Sequence, residues 1–338
     1  MKSSTIASPF VLNMLQGAQA KGLNIQEMLL ACGIAPSILD YPQARITFPQ
    51  MAKLSSLVVS TLDDEYFGLT SKPQRQGCFK FACYSAMQAR DVEELLHLLV
   101  EFNTAIDSDF IHEIVLEEEQ ARYQVIPKPD VTLINHYAIE HVLFGAHRAI
   151  CWFSNKRLAV TQATFEFSAP DYVDEYVSLF YGAPVLFNRS VNSFSLKAHD
   201  LTRKICRGQE EVKKFLAAAP MTLLSQPDID GEVTIQLRLW LERELMQNRQ
   251  FPSMEQACSH FDIHHQSLRR KLAKSGTTFK GLKAELRRDI AINLVLNSDD
   301  SIEMISEVLD FSEASSFIRS FKQWTGLTPY AYRKASHT

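Results

Sequence analysis

Two short runs of side chains in the last quarter of the 338-residue sequence have the types and spacing to read a polar, anionic surface. In the first, His265, Gln266, Arg269 and Arg270 fall together on one face at helical spacing. Arg and Gln carry paired groups that match the edges of guanine and adenine, and all four side chains can donate to phosphate oxygens. Arg270 suits a phosphate as well as a base, because positioning contacts outnumber specifying ones. In the second run Ser315, Ser316 and Arg319 fill the matching places, and Ile318 could touch a thymine methyl. Plain helix surface is the competing account, weak for Arg269 and a real rival for Ser316.

Such side chains need rigid elements behind them. Ser253 and Gln256 have the spacing of a capping box, which predicts a helix start at Met254 with Ala257, Cys258 and Phe261 on its stripe. Asp262 marks a turn, and a second short helix follows from His264, with Leu268 and Leu272 inward. The device repeats: Asp300 and Glu303 as the cap, Ile302, Ile305 and Leu309 as the stripe, Asp310-Phe311-Ser312 as the turn, and a helix from Glu313 to about Trp324 with Phe317, Phe321 and Trp324 inward. Between them, Leu282, Leu286, Ile290, Leu294 and Val295 mark a rigid spacer helix. Two helix-turn-helix units held about 34 Å apart on one face of a duplex can read neighbouring major grooves.

The formal charge of -4 hides an asymmetry. From residue 251 onward there are 12 Lys and Arg against 10 Asp and Glu, while the preceding part has 23 against 29. Eight basic residues stand between His264 and Arg288 (Arg269, Arg270, Lys271, Lys274, Lys280, Lys283, Arg287 and Arg288) against one acid, Glu285. That is the footprint expected where phosphates are met, with a solvated helix face as the alternative. The six cysteines are scattered without C-x-x-C spacing, which argues for reduced, packed thiols rather than a zinc site or disulfide framework. His260, His264 and His265 straddle a turn with no carboxylate or thiol at ligand spacing, and His136, Glu140 and His141 suit a satisfied helix better than a metal. No metal and no cofactor are expected. The absence of a long apolar run or signal core predicts a cytoplasmic protein with no membrane partner.

The length predicts two globular units: residues 1–210, a linker at 211–232, and a helical domain from 233, opened by a helix with Leu237, Trp240, Leu241 and Leu245 on one stripe. In the first unit short helices precede residue 62, and an amphipathic helix covers 91–103. A hairpin then joins Phe110–Leu116 to Ala121–Ile126 through Glu117-Glu118-Glu119-Gln120, followed by a long helix over 133–153 and strands near 162–167 and 185–196. This predicts an α+β unit with a mostly antiparallel sheet, followed by an all-α domain. Phe79, Phe81, Tyr84, Tyr137, His141 and Phe144 could line a cavity between helix and sheet, although an aromatic stripe more often forms core.

The C-terminal stretch resembles the DNA-binding domain of the AraC family of bacterial transcription regulators. The resemblance rests on Phe311-Ser312-Glu313-Ala314-Ser315-Ser316-Phe317-Ile318-Arg319-Ser320-Phe321-Lys322-Gln323-Trp324-Thr325-Gly326-Leu327-Thr328-Pro329 with Tyr332-Arg333, and on Leu268-Arg269-Arg270-Lys271-Leu272 before Gly276. The family often places Gly in each turn, where this chain has Asp262 and Asp310; Asp tolerates positive φ, so the turn survives. Residues 22–201 resemble the arabinose-binding-type effector domain of one branch of the family. The resemblance is carried by Gly33-Ile34 with Arg45-Ile46, by Tyr181-Gly182-Ala183-Pro184-Val185-Leu186-Phe187, and by Asn192-Ser193-Phe194-Ser195-Leu196. It implies a non-enzymatic regulator, an activator among its expected roles, that binds an operator in double-stranded DNA. It also implies a small-molecule effector (metabolite, amino acid or lipid), a homodimer on DNA, and contact with RNA polymerase. One rival is a DNA alkyl-repair protein carrying an AraC-like module beside a nucleophilic cysteine, but Cys258 falls on a buried stripe without an activating base.

Overall fold

The computed structural model describes residues 5–180, 183–224, 233–274 and 277–336. The chain opens with strand β1 (Thr5–Ala7) and helices α1 (Ser8–Ala20) and α2 (Ile25–Ala31). It returns through strand β2 (Arg45–Thr47), which pairs antiparallel with β1. Helices α3 (Phe48–Leu62), α4 (Cys78–Ala86) and α5 (Val92–Ala105) follow. α5 starts where the Asp91 side chain accepts a 3.1 Å bond from the Glu94 amide, with Glu93 and Glu94 placed to complement the exposed N–H groups of the first turn. Strands β3 (Phe110–Leu116) and β4 (Gln120–Pro127) form the predicted hairpin, in register from Phe110↔Pro127 to Leu116↔Ala121.

Next come α6 (Tyr137–Phe153), β5 (Val160–Thr164), α7 (Asp174–Leu179), β6 (Val185–Leu186), β7 (Asn192–Lys197), α8 (Gln209–Ala217) and α9 (Met221–Leu224). The rest is helical: α10 (Val233–Asn248), α11 (Met254–His260), α12 (His265–Lys274), α13 (Phe279–Asn297), α14 (Ile302–Val308), α15 (Ala314–Thr325) and α16 (Pro329–Ser336).

The chain packs as two compact units. One comprises residues 12–25 and 52–229. Its sheet runs β3-β4-β7-β5-β6, antiparallel throughout except for the β5/β6 pair, as the hairpin signal predicts. Strand alternation sends Phe110, His112, Tyr123, Phe194 and Leu196 to a buried face. α6 packs against that sheet, its His147 ring 5.4 Å from that of Phe194. In the expected linker α8 and α9 flank a turn at 218–220; its Pro227, Asp230 and Gly231 lie outside the described residues.

The other unit comprises residues 1–11, 26–51 and 230–338, so the predicted division at 210–232 and the packing differ: two N-terminal segments group with the C-terminal helices. The reason is a buried polar network. Asp289 of α13, 3% exposed, accepts 2.8 Å bonds from the Thr5 hydroxyl and from Arg238 of α10. Arg45 donates to Thr5 at 2.8 Å, and the Tyr332 hydroxyl of α16 donates to the Arg45 carbonyl. The ribbon of β1 and β2 thereby satisfies groups that α13 and α16 would otherwise bury alone. At the end of α15, Gly326 has φ 79 and a Cβ there would meet the Tyr41 ring at 2.5 Å, so both conformation and contact require glycine.

Candidate nucleic-acid interface

Both helix-turn-helix units form. In the first, Ser253 caps α11: its hydroxyl accepts from the Gln256 amide at 3.2 Å, and the Gln256 side chain accepts from the Ser253 amide at 2.7 Å. In the second, Ser301, one residue after the expected Asp300, caps α14 by accepting from the Met304 amide at 3.2 Å. An N-cap side chain accepts from the amide two or three residues on, which puts Ser301 opposite the Met304 amide; the Asp300 backbone carbonyl separately accepts from Arg333. The turns place Asp262 at φ 48 and Asp310 at φ 59, the left-handed conformation that the sequence assigns to these two aspartates.

The two reading helices are amphipathic about clean stripes. Leu268 and Leu272 of α12 and Phe317 and Phe321 of α15 are essentially fully buried. On the opposite side Gln266, Arg269, Arg270, Ser315 and Arg319 are exposed, while His265, Ser316 and Ile318 are half-buried. Ser315 donates to the Glu313 carboxylate at 3.0 Å, so its hydroxyl has an internal acceptor beside the start of α15. His265, Gln266, Arg269 and Arg270 thus lie on one helix and Ser315, Ser316, Ile318 and Arg319 on the other, each behind a turn and ahead of a hydrophobic anchor.

The basic run does not act as one patch. Arg287 lies between the rings of Phe251 and Phe311, its guanidinium 5.1 Å from each centroid, and donates to the Leu309 carbonyl at 2.9 Å. It also pairs with Asp310 at 3.3 Å. Lys283 lies over Phe251 and donates to the Pro252 carbonyl at 3.3 Å; burial lowers its ammonium pKa. Arg288 pairs with Asp289 at 3.3 Å. All three cations are assigned by sequence to the phosphate footprint; Lys283 and Arg287 instead hold the spacer helix to the start of the first helix-turn-helix and the turn of the second, and the Arg288 pair stays within α13. Arg269, Arg270, Lys271 and Lys280 remain exposed, and the Lys274 side chain lies outside what is described.

The six aromatic and polar residues expected to line an effector cavity divide between α4 and α6. Phe79 packs on Phe215 at 6.2 Å, Phe81 turns outward with 63% exposure, and Tyr84 lies edge-on to it at 6.5 Å. On α6, Tyr137 and His141 stack at 6.2 Å with Phe67 against both, and Phe144 carries the guanidinium of Arg148 at 4.7 Å. Two residues outside those six stand beside this second group: Glu140, 5% exposed, which the sequence weighs only against a metal role, and Tyr176, whose hydroxyl donates to it at 2.5 Å. Their signal was faint, since a carboxylate on an apolar helix face also fits a surface position.

Residues 22–205 match the family described as the arabinose-binding domain of AraC transcription regulator, N-terminal, and residues 257–335 match a helix-turn-helix domain family. The first match covers more than half of the chain. The chain belongs to the AraC family of transcription regulators. An ornithine utilization regulator of Pseudomonas aeruginosa is 22% identical over 316 residues, 93% of this chain and 92% of that protein. The regulator VqsM of the same species is 27% identical over 161 residues, 47% of this chain and 48% of its own length. The solved structure of the regulator CdpR, also from P. aeruginosa, covers 75% of this chain and 81% of its own with a TM-score of 0.31 at 23% identity. The families and these relatives are DNA-binding transcription regulators, not enzymes. Among the described residues no helix is long and apolar enough to cross a membrane, and no group of three His, Cys, Asp or Glu is placed to hold a metal ion.

Proposed function

We propose that this AraC-family regulator reads two successive major-groove segments of an operator with the N-terminal faces of α12 and α15. His265, Gln266, Arg269 and Arg270 serve one segment; Ser315, Ser316, Ile318 and Arg319 serve the other. The observation that supports this is the opposition on each helix between a fully buried apolar stripe and an exposed donor face. Gln266 and the three arginines supply the base-edge donors, and Ile318 the methyl contact. Arg287 and Lys283 supply the stiffness that keeps the two helices in register.

In this reading a small molecule held by residues 12–25 and 52–229 controls the affinity for DNA, and a dimer carries two such readers to the operator, where RNA polymerase is engaged as for an activator in the cytoplasm. Effector and operator influence each other only so far as the effector prefers one arrangement of the chain, and residues 211–232 are the joint through which that preference acts. The full-length likeness to an ornithine utilization regulator supports a nitrogen-containing metabolite as effector.

Selection of genomic fragments by the purified chain, followed by gel-shift titration across salt concentrations, tests the reading. Specific binding should weaken steeply with salt, since each phosphate contact releases counterions. Sequence-independent binding, or none, overturns it.

A further inference from the structure

Within the unit formed by residues 12–25 and 52–229, one buried group lacks what its chemistry requires. Glu140 sits on α6 with 5% of its surface exposed. One carboxyl oxygen accepts from Tyr176; the other, Oε2, is buried and has no hydrogen-bond partner. Ionised, Oε2 needs a donor; protonated, its O–H needs an acceptor; the structure supplies neither. Among the described residues no cation is paired with this carboxylate, although buried carboxylates are normally compensated by one.

The surroundings are rings. Tyr172 stacks on Tyr176 at 6.1 Å, and its hydroxyl accepts from Asn13 at 2.7 Å, which fixes the phenol. Tyr137, one turn before Glu140, stacks on His141. Tyr176 bonds Glu140 directly, Tyr172 stacks on Tyr176, and Tyr137 shares α6 with Glu140; burial first, and the Glu140 charge next, raise all three phenol pKa values. Burial holds the imidazole of His141 down at about 4, so it stays neutral and does not supply the missing positive charge.

We propose that Glu140, walled by Tyr137, Tyr172 and Tyr176, is the anchor of an effector site for an organic cation bearing a primary ammonium or guanidinium. The inference rests on the effector-controlled reading above and deepens it. Above about pH 7 Glu140 is ionised and repels an anionic ligand. A neutral hydroxyl would give Oε2 a donor but leave the buried charge uncancelled. An ammonium does both, and phenol faces attract cations further.

The test uses the full chain. Thermal shift and calorimetry are run with 1,4-diaminobutane, pentylamine and methylguanidine, against their uncharged counterparts 1,4-butanediol, 1-pentanol and N-methylurea and against L-arabinose. At least one cation should raise the melting point where its counterpart does not. Glu140→Gln should weaken that binding by about ten- to a hundredfold, the loss expected for one charged hydrogen bond. If Glu140→Gln fails to fold, Glu140→Asp, which withdraws the charge by one methylene, should weaken it instead. Unchanged binding in the folded variant, or no response to any cation, overturns the proposal. If an uncharged compound then shifts wild type and variant equally and alters DNA affinity, effector control survives and only the cation is lost. If no compound of either class changes melting or DNA affinity, both readings fall.

Discussion

At the scale of single residues, similar side chains do opposite work. Arg269 is exposed on a reading helix, whereas Arg287 is caught between two phenylalanines and a carbonyl. Arg269→Ala should therefore cost roughly 1–3 kcal/mol of operator affinity at one base pair, with its urea midpoint unchanged. Arg287→Ala should lose roughly 2 kcal/mol of folding stability through its ring and carbonyl contacts, and lose DNA binding as a consequence. Parallel denaturation and gel-shift curves separate the two, and identical profiles would refute the division of roles. Burial depresses His112, His141 and His147 to about 4, about 4 and about 3, and raises Glu140 to about 7. The stability tied to the histidines is present above their unfolded pKa near 6.5 and is lost as pH falls toward 4. That tied to Glu140 runs the other way, present below its unfolded value and lost as pH rises through 7. Three groups outweigh one, so the urea midpoint should drop between pH 7.5 and pH 5, and Glu140→Gln should deepen that drop. A flatter profile in the variant would contradict the assignment.

At the scale of elements, the caps and stripes decide where the helices begin and what they hide. Ser253→Ala removes one half of a capping box and should destabilise the chain by about 1 kcal/mol, measured by urea titration, with little effect on a folded protein's affinity for DNA. These elements were legible because their signals are local: a hydroxyl three residues before an amide, apolar residues every three or four positions, an aspartate where φ must be positive. The hairpin of β3 and β4 was legible for the same reason. The ribbon of β1 and β2 was not, since three residues per strand carry no alternation and the pairing spans about forty residues of chain. α4 escaped notice because Cys78, Phe79, Phe81 and Tyr84 read as an aromatic run rather than a two-faced helix. Nor does residue type say whether a lysine or arginine meets phosphate or a ring, which is why Lys283, Arg287 and Arg288 read as part of the footprint until their partners were visible.

At the scale of the whole molecule, sequence order and packing order part company. The first fifty residues contribute Thr5, Tyr41 and Arg45 to the unit that carries the reading helices, because Asp289, Gly326 and Tyr332 meet their partners there. Tyr332→Phe removes the donor to the Arg45 carbonyl and leaves a buried acceptor unmet, a loss of roughly 1–3 kcal/mol; guanidinium unfolding of the full chain would show it. The reading domain is consequently no detachable cassette. A chimaera that grafts residues 233–338 onto the front half of another family member would import Asp289 and Tyr332 but leave behind the strands made to receive them. Hybrids that also carry residues 1–51 from the same parent should be the ones that express, fold and regulate.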